Sequence, residues 1–103
     1  MKNKALQIVE HYGIGNQLKK LSEEVFELQE AITIHELKKS VKYEIPHTEI
    51  KGSREHIIEE LGDVRFMLLQ FQSWYGITDE DIEKVMIFKS DRQNERIKNE
   101  RII

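Results

Sequence analysis

With 103 residues, of which 34% are charged and 39% hydrophobic, the chain is sized for a single domain, 1–103, that leaves a large share of its surface exposed when it folds alone. The absence of cysteine excludes disulfides and thiolate metal sites and agrees with a reducing cytoplasm. No apolar signal core follows Met1-Lys2-Asn3-Lys4 and no run nears the ~20 apolar residues of a membrane span, so the reading is of a soluble protein without membrane contact. A formal net charge of −3 argues against stable nucleic-acid binding.

Ala5, Leu6, Ile8, Val9 and Tyr12 share one face of residues 3–12, which predicts a short first helix. Gly13 and Gly15 are read as its break. From Asn16, read as an N-cap, a second helix is predicted to about Lys39, with a charged polar face and no Gly or Pro inside. Residues 40–52 hold the chain's one proline, Pro46, and no helical period, so they are read as a loop, with a small hairpin from Val41–Ile45 and Thr48–Ile50 as one form. Helix connections usually run to about 2–8 residues, so a loop of this length points to function or to a docking place.

Ser53 is read as the cap of a third helix that runs to Tyr75 and stops at Gly76, a left-handed terminator. Besides its heptad stripe this helix carries Ile58, Phe66, Met67, Leu69 and Trp74, so it is expected to sit centrally. Thr78 and Asp81 have the spacing of a capping box for a fourth helix. Its first half is expected to pack through Ile82, Val85, Met86 and Phe88, while Lys89–Arg101 is polar except for Ile97. The fold class read from this order is all-α: a four-helix-bundle-like protomer made of a short first helix, a long helical hairpin and a polar C-terminal helix.

Heptad steps of three and four join Leu18, Leu21, Val25, Leu28 and Ile32 in the second helix, and Ile57, Leu61, Val64, Leu68, Phe71 and Tyr75 in the third. With Val25 and Leu61 set at a, Glu24 and Glu60 both fall at g, and Glu27 and Asp63 both fall at c. In antiparallel helices g faces g, so a hairpin brings these four carboxylates to one cleft. Any one of them alone would pass for a solvated helix face; two matched pairs beside an apolar seam do not. Two carboxylates about 5 Å apart repel by roughly 3 kcal/mol at an effective dielectric near 20, and a hard divalent cation with oxygen ligands relieves that repulsion. A di-iron bundle would want Glu-x-x-His spacing, which neither pair has. Lys89, Arg92 and Arg96 recur along one face of the last helix and can act together on phosphate groups. Lys19 and Lys20 are further candidates for phosphate, Gln17 for a base edge, and Phe66 or Trp74 for stacking. His11, His35, His47 and His56 form no ligand pattern.

Glu23-Glu24-x-x-Glu27 followed by Glu60-x-x-Asp63 resembles the paired acidic signature of the MazG-like, all-α nucleoside triphosphate pyrophosphohydrolases. Lys20-Leu21-Ser22 before the first half, Glu59 and Leu61-Gly62 around the second, and Lys89-Ser90-Asp91-Arg92-Gln93 with Arg96-Ile97 near the end are similar too. The spacer between the two halves is longer than that family usually has. The resemblance implies cleavage of a nucleotide substrate, an NTP or dNTP, between the α and β phosphates, giving monophosphate and pyrophosphate. It implies Mg2+, with Mn2+ as the substitute, held by Glu24, Glu27, Glu60 and Asp63. Catalytic roles fall to Glu24 and to Glu23, which orients or deprotonates the attacking water, and phosphate binding falls to Lys89, Arg92 and Arg96. The same resemblance implies a homodimer or homotetramer. Two other readings stand beside it: a non-catalytic helical interaction module, and phosphoribosyl-ATP pyrophosphohydrolase, which shares the all-α fold. If the acid pairs are level, the second helix overhangs the start of the third, and His35–Lys39 becomes a candidate subunit contact.

Overall fold

A computed structural model describes residues 1–40 and 45–102. Its described residues form four α-helices and no strand: α1 Lys2–Tyr12, α2 Ile14–Ser40, α3 His47–Trp74 and α4 Asp79–Ile102. None of the helices is long and apolar enough to cross a membrane. The all-α expectation is met. Three of the helices pack together, with α2 and α3 as an antiparallel hairpin and α1 lying chiefly on α3.

Three boundaries differ from those read in the sequence. Gly13 alone ends α1, with a φ of 88° that suits glycine and an amide donating to Val9 O at 2.8 Å. Gly15 lies inside α2, and Asn16 is no cap; its side-chain amide donates back to Tyr12 O at 2.7 Å. At the other end of the hairpin α3 begins at His47, behind Pro46, so residues 47–52, read as loop, are helical. Proline is well suited to the entrance of a helix, because its missing N–H is one that the first turn leaves unpaired anyway. Thr48–Ile50 are therefore no strand, while residues 41–44 of the hairpin reading lie outside the described residues.

This early start also moves Ser53 from cap to interior. Its hydroxyl donates to Ile50 O at 2.9 Å and lies 2.6 Å from His35 Nδ1, so the imidazole nitrogen is the donor to it. The overhang expected at His35–Lys39 is correspondingly covered at its start by the chain's own α3. From Gln17 opposite Gln70 to His35 opposite Ser53, the hairpin is level.

At the far end of α3 the sequence signals hold. Gly76, at φ 64°, donates to Ser73 O, and Ile77 donates to Gln72 O, the two bonds of a Schellman motif. Thr78 and Asp81 form the capping box reciprocally: Asp81 N–H reaches Thr78 Oγ1 at 3.1 Å, and Thr78 N–H reaches Asp81 Oδ2 at 3.2 Å. Asp79 accepts from Gln72 Nε2 at 2.7 Å and from Lys2 Nζ at 2.9 Å, tying the root of α4 to α3 and α1. Those two bonds, the glutamine's first, hold its carboxyl below the ordinary range. Thr78→Ala is expected to weaken the first turns of α4 by about 1 kcal/mol. Hydrogen exchange at the amides of Ile82–Met86 checks this, since faster exchange confined to those amides is the signature of a lost cap.

Beyond its root α4 leaves the other helices. It packs against none of them, and Ile82, Val85, Met86 and Phe88 are exposed, so the expected packing of its first half does not occur within one chain. The radius of gyration, 18.1 Å, exceeds the ~13 Å of a compact chain this long. The cause is in the residues: α4 has almost no apolar side, so nothing on it outweighs solvation of its polar faces except at its start.

Candidate metal centre and adjoining cleft

The hairpin seam takes only part of the apolar heptad stripe: Leu21, Leu28, Ile57, Val64 and Phe71 lie in it. On α2 the side chains turned inward are Gln17, Leu21, Glu24, Leu28, Ala31 and His35; on α3 they are Ser53, Ile57, Glu60, Val64, Met67 and Phe71. Leu18, Val25 and Ile32, and Leu61, Leu68 and Tyr75, are exposed instead. Each except Tyr75 directly follows a seam position, and one residue is ~100° of helix rotation. The acids set at g thus take the places expected of the residues set at a. α1 packs chiefly on α3, and its Ile8 and Tyr12 line, together with Phe66, Met67 and Gln70, a cleft that reaches Glu24 and Asp63.

Glu24 and Glu60 are each only 7% exposed. With Asp63 they offer carboxylate oxygens that all lie within 4.8 Å of one another. Spacing explains the meeting: Glu60 and Asp63 are three apart on one helix face, and antiparallel pairing sets Glu24 across from both. Glu27 is exposed and outside that trio. Even so, burial first, then the charges of Glu27, Asp63 and Glu24, raise the Glu60 carboxyl above its usual range, with His56 acting the other way.

Two atoms in this cluster have no protein partner. Glu24 Oε2 and Glu60 Oε2 are shut away from solvent and accept no hydrogen bond, and an unsatisfied buried acceptor costs about 1–3 kcal/mol, more when it is charged. The second oxygen of each acid fares differently. Lys20 Nζ is 3.2 Å from Glu24 Oε1, and His56 Nε2 is 3.8 Å from Glu60 Oε1. The hydrogen bond and charge of Glu24 raise the Lys20 ammonium above the usual lysine range. One exposed lysine does not balance this much negative charge. Two acids that each carry an orphaned oxygen, grouped with a third carboxylate and with no nitrogen or sulfur donor in the set, fit a hard divalent cation.

Beside the acids a cleft of about 590 Å3 opens between α1, α2 and α3, and Tyr12, Gln17, Lys20, Asp63, Phe66 and Gln70 line it. Glu23 also borders it, exposed and 3.7 Å from Lys20 Nζ. Gln17 and Phe66, two of the candidate base contacts, are therefore at the cleft, and Trp74 is not. Lys89, Arg92 and Arg96 are exposed on α4, with Arg92 over the Phe88 ring at 5.8 Å, and the single chain does not bring them to the acids. His56 was assigned nothing from sequence, yet a signal was available. It precedes Glu60 by four residues, as Lys20 precedes Glu24, and on a helix that spacing lays a basic side chain over an acid.

No family model matches the chain, and neither curated proteins nor solved structures contain a match to it.

Proposed function

We propose that this chain is a magnesium-dependent nucleoside triphosphate pyrophosphohydrolase, with manganese able to substitute. The observation that carries the reading is the buried, unpartnered oxygen on each of Glu24 and Glu60, acids grouped with Asp63 beside a cleft of nucleotide size. Glu24, Glu60 and Asp63, with Glu27 beside them, would hold the ion, which when bound supplies positive charge against the phosphate oxygens. Glu23 orients the attacking water and takes its proton. The water oxygen bonds to the α-phosphorus, the bond from that phosphorus to the bridging oxygen breaks, and pyrophosphate leaves.

Lys20 lies at the mouth of the site but is already paired to Glu23 and Glu24, so further cations are needed for the β and γ phosphates. Lys19, on the cleft lining, is one, and Lys89, Arg92 and Arg96 are the others, brought from a second copy. Supporting this are the exposed stripe of Leu18, Val25, Ile32, Leu61 and Leu68, and the exposed apolar start of α4. Both stripes turn to the same side of the antiparallel hairpin, making one uncovered apolar face. A homodimer or homotetramer covers it.

A panel of NTPs and dNTPs with magnesium, scored for products, tests the activity. At least one is expected to yield monophosphate and pyrophosphate. Orthophosphate and a diphosphate would mean cleavage at another bond, and no turnover of any member would favour the interaction module, for which the exposed residues 80–101 of α4 are the supporting observation.

A further inference from the structure

Two buried carboxamides in the cleft are unexplained by metal and phosphate. Gln17 is 7% and Gln70 3% exposed, and Gln17 Nε2 donates to Gln70 Oε1 at 2.7 Å. That bond is well made. What remains is not: Gln70 Nε2 has only the Met67 thioether, 3.6 Å away, and Gln17 Oε1 has no donor among the described residues. Thioether sulfur is a weak acceptor. Gln17 Oε1 is not sealed from solvent, and both residues line the cleft, so the amide pair borders its interior. Reversing both amides would exchange the roles and still leave one donor and one acceptor.

The surroundings suit a flat ring. Tyr12, from α1, and Phe66, from α3, line the same cleft, and Tyr12 is held against His11 in an edge-to-face pair with centroids 4.7 Å apart. Gln17 lies two turns of α2 before Glu24, about 10 Å along the helix. A ribose fits between a base at the amides and the reacting α-phosphorus at the acids. Polyphosphate alone, or a sugar phosphate without a base, offers these amides no ring edge to pair with.

Resting on the pyrophosphohydrolase reading, we propose that the Gln17–Gln70 pair is the floor of a nucleobase subsite that reads an unsubstituted hydrogen-bonding edge, with Tyr12 and Phe66 as its aromatic walls. The substrate class is then a nucleoside triphosphate whose base edge is free. An adenine carrying a phosphoribosyl group on N1 has that edge blocked, so the subsite selects against phosphoribosyl-ATP. The physical basis is asymmetric: a site built to pair polar groups rejects a ligand that leaves them unpaired far more strongly than an apolar pocket rejects a misfit.

The test reads binding without metal or turnover. Adenosine and uridine, and their N1-methyl and N3-methyl forms, are titrated into the intact protein by calorimetry, with inorganic triphosphate as the base-free probe. At least one unmodified nucleoside is expected to bind, and its methylated form to bind at least tenfold more weakly. Tyr12 is exposed enough for truncation to leave the core intact; Tyr12→Ala should weaken nucleoside binding by about tenfold. Gln17→Leu should erase the difference between methylated and unmethylated forms. Equal binding of both forms to the parent, or binding of inorganic triphosphate with no nucleoside binding, overturns the subsite. Nucleoside binding with the predicted selectivity but no pyrophosphate release upholds the subsite and defeats the activity. Hydrolysis that ignores edge methylation does the reverse.

Discussion

Replacing Glu60 by glutamine raises the melting temperature of the metal-free protein at neutral pH by several degrees. The carboxyl of Glu60 is raised by burial and by the charges of Glu27, Asp63 and Glu24, so its ionised form is worse off in the folded state than in the unfolded one. For an acid shifted upward the fold carries a penalty above its folded value, and the penalty disappears as pH falls through that value toward the ordinary glutamate range. The parent without metal should therefore gain stability on mild acidification from neutrality, before general acid denaturation sets in. Glu60→Gln, neutral throughout and close in shape, should start from the higher stability and lack this gain. Its response to magnesium should differ in the other direction. Saturating ion can stabilise the parent by about 2.7 kcal/mol at a hundredfold excess over the dissociation constant; the variant, short of an anionic ligand, should lose most of that increment and fall by about a hundredfold or more in turnover. Thermal melts at several pH values, with and without magnesium, check all of this. An unchanged metal response in the variant would show that the buried acids are not ligands.

The same residues show where sequence was readable and where it was not. Local signals carried well. Gly76 and the Thr78–Asp81 box govern bonds within a few residues, and both were legible because no distant partner competes for them. The four acids could be nominated because i, i+3 spacing fixes a shared face whatever packs on it, and three of them meet. Heptad phase was harder. In each long helix the stripe's other residues, Leu21 and Leu28 or Ile57, Val64 and Phe71, could form a seam either with the apolar a positions or with the mixed line beside them. The hairpin buries the mixed line, with Glu24, Glu60, Gln17 and Gln70 inside it, and leaves Val25 and Leu68 outside. A lone chain gains nothing from that choice; a site and an assembly do. The start of α3 was missed for a different reason. Gly52 and Pro46 look like loop punctuation, but a proline at the mouth of a helix and one interior glycine cost it little.

If the phosphate-binding cations reach the acids from another copy, two dead proteins should repair one another. Take Glu24→Gln/Glu60→Gln, which lacks ligands, and Arg92→Ala/Arg96→Ala, which lacks phosphate contacts, each inactive by itself. Unfolded together and refolded, about half of the dimers are mixed by random pairing. In a mixed dimer one site inherits both defects, while the other takes intact acids from one chain and intact cations from its partner. Activity should return to about a quarter of the parent's, one good site in two across half of the dimers. Were α4 to serve the acids of its own chain, every site in the mixture would carry a defect and nothing would be recovered. Sedimentation of each variant keeps the result readable: Arg92 and Arg96 lie beyond the apolar start of α4, so their removal should leave the assembly intact, whereas Val85→Glu/Met86→Glu should break it into monomers that retain their helices by circular dichroism. Since the chain has no cysteine, Glu27→Cys on one copy and Arg92→Cys on another give an independent reading, because a disulfide between the mixed single variants can form only where the two chains place acid and cation side by side.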